Sequence, residues 1–190
     1  MVGGDGGRGA AVGSRAMRSA GARLMTQLAD RSIAAELAIR RDRFVEIGGA
    51  FQGRAAKAGG FGGSGYREHM RKLCAAELHE RAELLGDAVR EAHEGISGTS
   101  SDAMLRAAKG WIAERIAQEA KTFGAFLWKP NESFGEKGDP DNLNDEVRRE
   151  RDAAFAVLDL HWEQLRQNRI ERVIRLAARV WGRLRSLVHS

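Results

Sequence analysis

The chain reads as an all-α protein, and three observations predict it. Ala, Leu, Arg and Glu dominate its 190 residues, and those side chains lose little freedom on entering a helix. Only two prolines interrupt it, and no alternating run of Val, Ile or Thr marks a strand. Apolar residues instead recur at spacings of three and four, the repeat of one helical face. The expected architecture is about four long helices in a bundle-like arrangement, with a disordered leader over 1–20 and a helical domain over 21–190. A chain of this length can bury a core of its own.

The leader is Gly, Ala, Ser and Arg, with Asp5 its sole acid through residue 20. So little apolar surface does not repay the entropy of ordering, and the segment also resembles an organellar transit peptide in composition. A start at Met17 or Met25 is the rival reading. Helix one is expected over Ala22–Gly48. Ile33, Leu37, Phe44 and Ile47 form its apolar face, and Gly48-Gly49 its stop. Arg40, Arg41 and Arg43 read as a solvated last turn matched to the helix dipole.

A glycine-rich linker follows over 48–65. It lacks the Lys-Ser/Thr ending and the preceding strand of a phosphate-binding loop, so it reads as a connector. Helix two is expected over Tyr66–Glu94. Met70, Cys74, Leu78, Leu85, Val89 and Ala92 make its stripe. Arg81 intrudes into that stripe, and Glu77, four residues earlier, is placed to shield it. Cys74 is the single cysteine, so an intrachain disulfide and a cysteine-based zinc site are both excluded.

Ser100 or Ser101 is suited to cap helix three, expected over Asp102–Leu127. Leu105, Ala108, Ile112, Ile116, Phe123 and Leu127 form its stripe, flanked by Trp111, and Lys129-Pro130 ends it. A polar loop is expected over 128–142. Asp139, Asp141, Asn144, Asp145 and Glu146 gather oxygens there, but their spacing departs from a calcium loop. Capping of helix four by Asp141, Asn142 or Asn144 is the better account.

Helix four is expected over Asp145–His189, and its two halves point differently. Val147, Leu158, Trp162 and Leu165 define one stripe. Ile170, Val173, Ile174, Ala177, Val180, Trp181, Leu184 and Val188 define another, rotated by roughly a third of a turn at ~100° per residue. Either the rod bends near Gln167-Asn168 or it packs against two different partners, so the second half is expected to leave the bundle and meet something else. Arg172, Arg175, Arg179 and Arg183 line the opposite face of that half, as candidate partner- or phosphate-binding residues.

Charge is distributed in the same sense. The net charge is +5. Residues 153–190 hold seven Lys/Arg against three Asp/Glu, whereas residues 67–127 hold nine against ten. A basic terminal helix suits an anionic partner.

Chemistry is thinly signalled. The five histidines, His69, His79, His93, His161 and His189, match no metal-ligand spacing, and His79 with Glu83 supplies only two ligands. No nucleophile elbow is present. No cofactor and no metal is therefore expected. Arg183, five residues and then His189 resemble the Arg-x4–6-His motif of HEPN-type helical ribonucleases. That resemblance implies a phosphate-binding or hydrogen-bonding role for Arg183 and catalysis by His189, although Leu184 replaces the polar residue often found after the arginine.

The function expected from the sequence is non-enzymatic interaction or assembly. A protein partner or self-association comes first, sequence-tolerant nucleic-acid contact through the basic helix second, and a membrane surface third. One free cysteine, no apolar run of membrane-spanning length and no secretory signal make the cytoplasm the expected location.

Overall fold

A computed structural model describes residues 6–59, 64–96, 101–132 and 143–188, apart from the side chains of 6–19, 64, 125, 128–132, 172, 176 and 178–188. Four helices follow in order: α1 (Gly6–Lys57), α2 (Ser64–Gly95), α3 (Asp102–Glu132) and α4 (Asn144–Val188). Among the described residues there is no strand. The leader expected at 1–20 overlaps the first turns of α1 and otherwise lies outside the described residues.

Side-chain pairings fix the topology. Phe51 stacks on Tyr66 at 5.3 Å and Arg40 meets Glu77 at 3.3 Å, so α1 and α2 run antiparallel. Trp111 donates to Asp30 at 3.1 Å and Phe44 meets Phe123 edge-on at 4.8 Å, so α1 and α3 run parallel. Arg71 pairs with Glu146 at 2.8 Å and His93 lies 4.2 Å from Trp162, so α4 runs parallel to α2. Both α1 and α4 pack on α2 and α3 but not on each other. The two middle helices therefore carry the core, with α1 on one flank and α4 on the other.

The apolar stripes of α2 and α3 close on each other as their spacing predicts. Met70, Cys74, Leu78, Leu85, Val89 and Ala92 are buried, as are Ala108, Ile112, Ile116, Phe123 and Leu127. Ser101 caps α3, its hydroxyl accepting from the Met104 N–H at 3.3 Å.

Several expectations are corrected. The helix does not stop at Gly48-Gly49, so no linker runs from 48 to 65. It continues to Lys57 because Phe51 packs on Tyr66 and on His69, the latter at 4.5 Å. Tertiary packing of this kind outweighs the ~1 kcal/mol that each helical glycine costs. The stop comes at Gly59, whose φ of 66° lies in the left-handed region that glycine adopts without penalty.

Ile47 is 45% exposed, and Gly48 occupies the seam in its place. A Cβ on Gly48 would lie 2.8 Å from Cε1 of Phe126, so the missing side chain is what lets the Phe126 ring approach. Asn144 is not the cap of α4. The Leu143 carbonyl accepts the Val147 N–H at 2.7 Å, which puts the cap position one residue earlier. The α3 helix extends to Glu132, past the stop expected at Lys129-Pro130; terminal turns often run a residue or two beyond sequence signals. Of the expected polar loop, 133–142 lie outside the described residues.

Candidate interaction surface

The site is built from α4 and from the groove α4 makes with α2. Leu158 and Trp162 seat the first half of α4 on the core, both nearly free of solvent contact. Lys109 pairs with Asp159 at 2.7 Å, and Arg166 pairs with Asp102, the first residue of α3. At Arg166, then, α4 reaches the end of the bundle. Twenty-two residues remain to Val188, about 33 Å of rod at ~1.5 Å per residue.

On the described turns of that continuation the apolar side chains are out of the core. Ile170, Val173 and Ile174 are 59%, 61% and 61% exposed. The stripe of Leu158 and Trp162 is buried in the core, whereas Ile170, Val173 and Ile174 of the second stripe, rotated by roughly a third of a turn at ~100° per residue, are not. Arg175 is exposed and, among the described residues, pairs within its own helix, with Glu171 at 2.9 Å. Arg172, Arg179 and Arg183 share the helix, but their side chains lie outside the described residues, as does His189. The Arg183–His189 pair therefore lies outside the described residues.

Below the end of the bundle, parallel α2 and α4 leave a groove of about 300 Å³. Ala82 and Gly86 of α2 and Ala153 and Ala154 of α4 form its floor. Nothing lies within 4 Å of a Cβ built on Gly86, so the floor is open. The rim carries Glu83, Asp87, Arg90 and Glu150, and Val157 stands half-exposed at one end. His79 crosses the rim, with Nδ1 2.7 Å from Glu150 Oε2 and Nε2 3.6 Å from Glu83. The Glu150 hydrogen bond holds the His79 imidazole above its ordinary pKa. Both Glu146 and Glu150, which read in sequence as acids at a helix start, are buried and paired with α2.

Two further clusters sit behind this surface. Arg81 is 1% exposed and donates to Glu77 at 2.9 Å and to Glu119 at 2.7 Å. Burial pushes the Glu119 carboxyl up, but Arg41 and Arg81 together hold it below its ordinary value. Two of the three arginines read as a solvated turn are thus interhelical: Arg41 reaches Glu119, and Arg40 reaches both Glu77 and Glu80. Farther along, His93 lies edge-on to His161 at 5.7 Å and tilted on Trp162. His93 Nδ1, His161 Nε2 and Trp162 Nε1 are buried with no hydrogen-bond partner among the described residues. Burial pushes both imidazoles below their ordinary pKa. Cys74 is buried in the core, and burial pushes its thiol up to about 12, which suits packing and not nucleophilic work.

Sequence reasoning placed Arg81 beside Glu77 but missed Glu119, which lies 38 positions from Arg81. It also missed the groove, because alanine and glycine at helical spacing carry no signature of their own. Among the described residues no group of three or more His, Cys, Asp or Glu is set to hold a metal ion, and no helix is long and apolar enough to cross a membrane. No protein-family model, no curated protein and no solved structure matches this chain.

Proposed function

We propose that this chain is a non-enzymatic interaction and assembly protein, with the projecting half of α4 as its contact element. The observation that carries the reading is the exposure of Ile170, Val173 and Ile174 on a helix continuous with the core. A solvated helix needs no such stripe, and exposed apolar faces of this kind mark contact surfaces. The same half holds six arginines against Glu171 alone over 169–190, and four of them lie on the face opposite that stripe, so an anionic surface is favoured on that second side. Deleting 169–190 is expected to weaken association more than it lowers helix content, measured by sedimentation and circular dichroism. Equal loss of both would sink the reading.

The arginine spacing supports a second reading, contact with nucleic-acid phosphates without sequence preference. Fluorescence anisotropy on generic DNA and RNA across a salt series tests it. Replacing Arg172, Arg175, Arg179 and Arg183 by Gln should flatten the slope of log affinity on log salt by about 3–4 for duplex DNA, at ~0.9 per phosphate released. Absence of binding at low salt would leave protein contact as the role of this face.

A further inference from the structure

We propose that the projecting half of α4 pairs with the same half of a second copy of this chain, the two helices running antiparallel about a two-fold axis level with Arg179. The inference rests on the reading of α4 as a contact element and names its partner.

The seam is written in the spacing. Ile170, Ile174, Ala177, Trp181, Leu184 and Val188 follow one another at intervals of four, three, four, three and four along one unbroken helix. That is the ~3.5-residue repeat of a coiled-coil seam. Val173, Val180 and Leu187 recur every seven residues beside it and widen the apolar face. Ile170, Val173, Ile174 and Ala177, whose side chains are described, are all exposed. Arg172, Arg175, Arg179 and Arg183 fall on the outer positions of the same repeat, away from the seam. A helix covering the seam therefore meets apolar groups and leaves those arginines in water.

Size and charge select a second copy and its direction. In an antiparallel pair, each layer sets a residue of one helix against one from the other end of the partner's seam. Ile170 then meets Val188, Ile174 meets Leu184, and Ala177 meets Trp181. The largest side chain of the seam is opposed to the smallest, twice, and the layers fill evenly. A parallel pair would set Trp181 on Trp181 and Ala177 on Ala177, one layer overfilled and the other void. The flanks agree. Glu171 and Arg185 lie two repeats apart on one edge of the seam, so the antiparallel pair brings each toward the opposite sign on the second copy. Glu171 meets Arg175 of its own helix at 2.9 Å, an exposed pair too weak to hold it from an interface. The two bundles lie at opposite ends of the seam and do not obstruct each other. Both copies use the same surface, so the contact closes as a two-fold dimer.

Sedimentation of the full chain against concentration and salt tests the pairing. Wild type should form a dimer that dissociates on dilution. Added salt should leave it intact or tighten it, because screening relieves repulsion between the two sets of arginines. Trp181→Ala empties two layers and Ala177→Trp overfills the same two. Each alone should associate about ten-fold or more weakly, with the thermal unfolding of the bundle unchanged. An equimolar mixture of the two should regain wild-type association, since every tryptophan again faces an alanine. Mild oxidation reads the direction: Ile174→Cys mixed with Leu184→Cys should cross-link, and neither should do so alone. Cys74 is buried and does not compete.

A chain that stays monomeric at its highest soluble concentration overturns the second copy, and the deletion and nucleic-acid measurements still decide whether α4 is a contact element. Dimers that fall apart as salt rises, a mixture that stays weak, or cross-linking by Ile174→Cys alone overturns the antiparallel seam. A dimer indifferent to Trp181→Ala and to Ala177→Trp also overturns the seam, and one that survives deletion of 169–190 as well overturns the contact reading with it.

Discussion

Arg81 and Glu119 are each 1% exposed, and the energetic logic of the α1–α2–α3 interface turns on them. Taking a charge out of water costs several kcal/mol, so the pair persists only because its geometry is fully used. Arg81 spends its donors on Glu77, Glu119 and the Thr122 hydroxyl, the last at 3.3 Å, and its guanidinium lies 4.6 Å from the centre of the Phe123 ring. Glu119 accepts from Arg41 as well. The asymmetry of buried pairs gives a prediction. Glu119→Gln leaves the buried Arg81 guanidinium with Glu77 alone as its anion and strips Arg41 of its partner, which should cost about 3 kcal/mol, read as a drop in urea midpoint. Arg81→Met with Glu119→Leu should recover most of that loss, since two apolar side chains need no partners and Arg41, 44% exposed, can turn to water. A double variant as unstable as Glu119→Gln would show that the pair is a net source of stability. Part of this was legible in sequence: Glu77 four before Arg81 announced a shielded arginine. Glu119 was not, because an ion pair across a helix interface leaves no local spacing to read.

At the scale of the element, neighbouring glycines in α1 separate intrinsic helix propensity from packing. Nothing lies within 4 Å of a Cβ on Gly49, whereas a Cβ on Gly48 would collide with the Phe126 ring at 2.8 Å. Gly49→Ala should therefore stabilise by up to about 1 kcal/mol through helix propensity alone. Gly48→Ala gains the same propensity but overpacks the α1–α3 seam, which typically costs about 1–3 kcal/mol. Its melting temperature should fall below that of Gly49→Ala, and equal melting temperatures would mean that the ring moves away freely. These glycines also explain why the end of helix one was misread. Sequence rules treat Gly-Gly as punctuation, and at Gly59 the rule works, because a positive φ is used there. At Gly48 the residue is instead a notch for a ring arriving from α3. Stripes on α2 and α3 were readable because the residues that bury them recur on the same helix.

Across the whole molecule, charge and burial are sorted by position, and that sorting makes stability depend on pH with a determinable sign. His93 and His161 join the far ends of the α2–α4 contact, with neither imidazole nitrogen that faces inward hydrogen-bonded among the described residues. For His93, burial is the main cause of the depressed pKa, followed by repulsion from His161, while Glu94 acts the other way. For His161, burial again leads, Glu94 opposes it and Arg90 adds to it. A histidine depressed in the folded state takes up its proton more readily when unfolded. The stability it contributes is complete above its unfolded value of about 6.5 and is lost as pH falls below that value. Glu119, held low by two arginines, adds loss of the same sign at more acid pH. His79 has the opposite sign, since Glu150 raises it: its contribution is complete below about 6.5 and fades as pH rises through the raised value. It is half-exposed, so solvent screens its share. The buried pair therefore decides the outcome. The urea midpoint should fall as pH is lowered from about 7.5 to about 5.5, and His93→Leu with His161→Leu should flatten the curve over that window. A flat wild-type curve would mean that water reaches the two rings. A variant curve as steep as wild type would move the acid sensitivity to other groups.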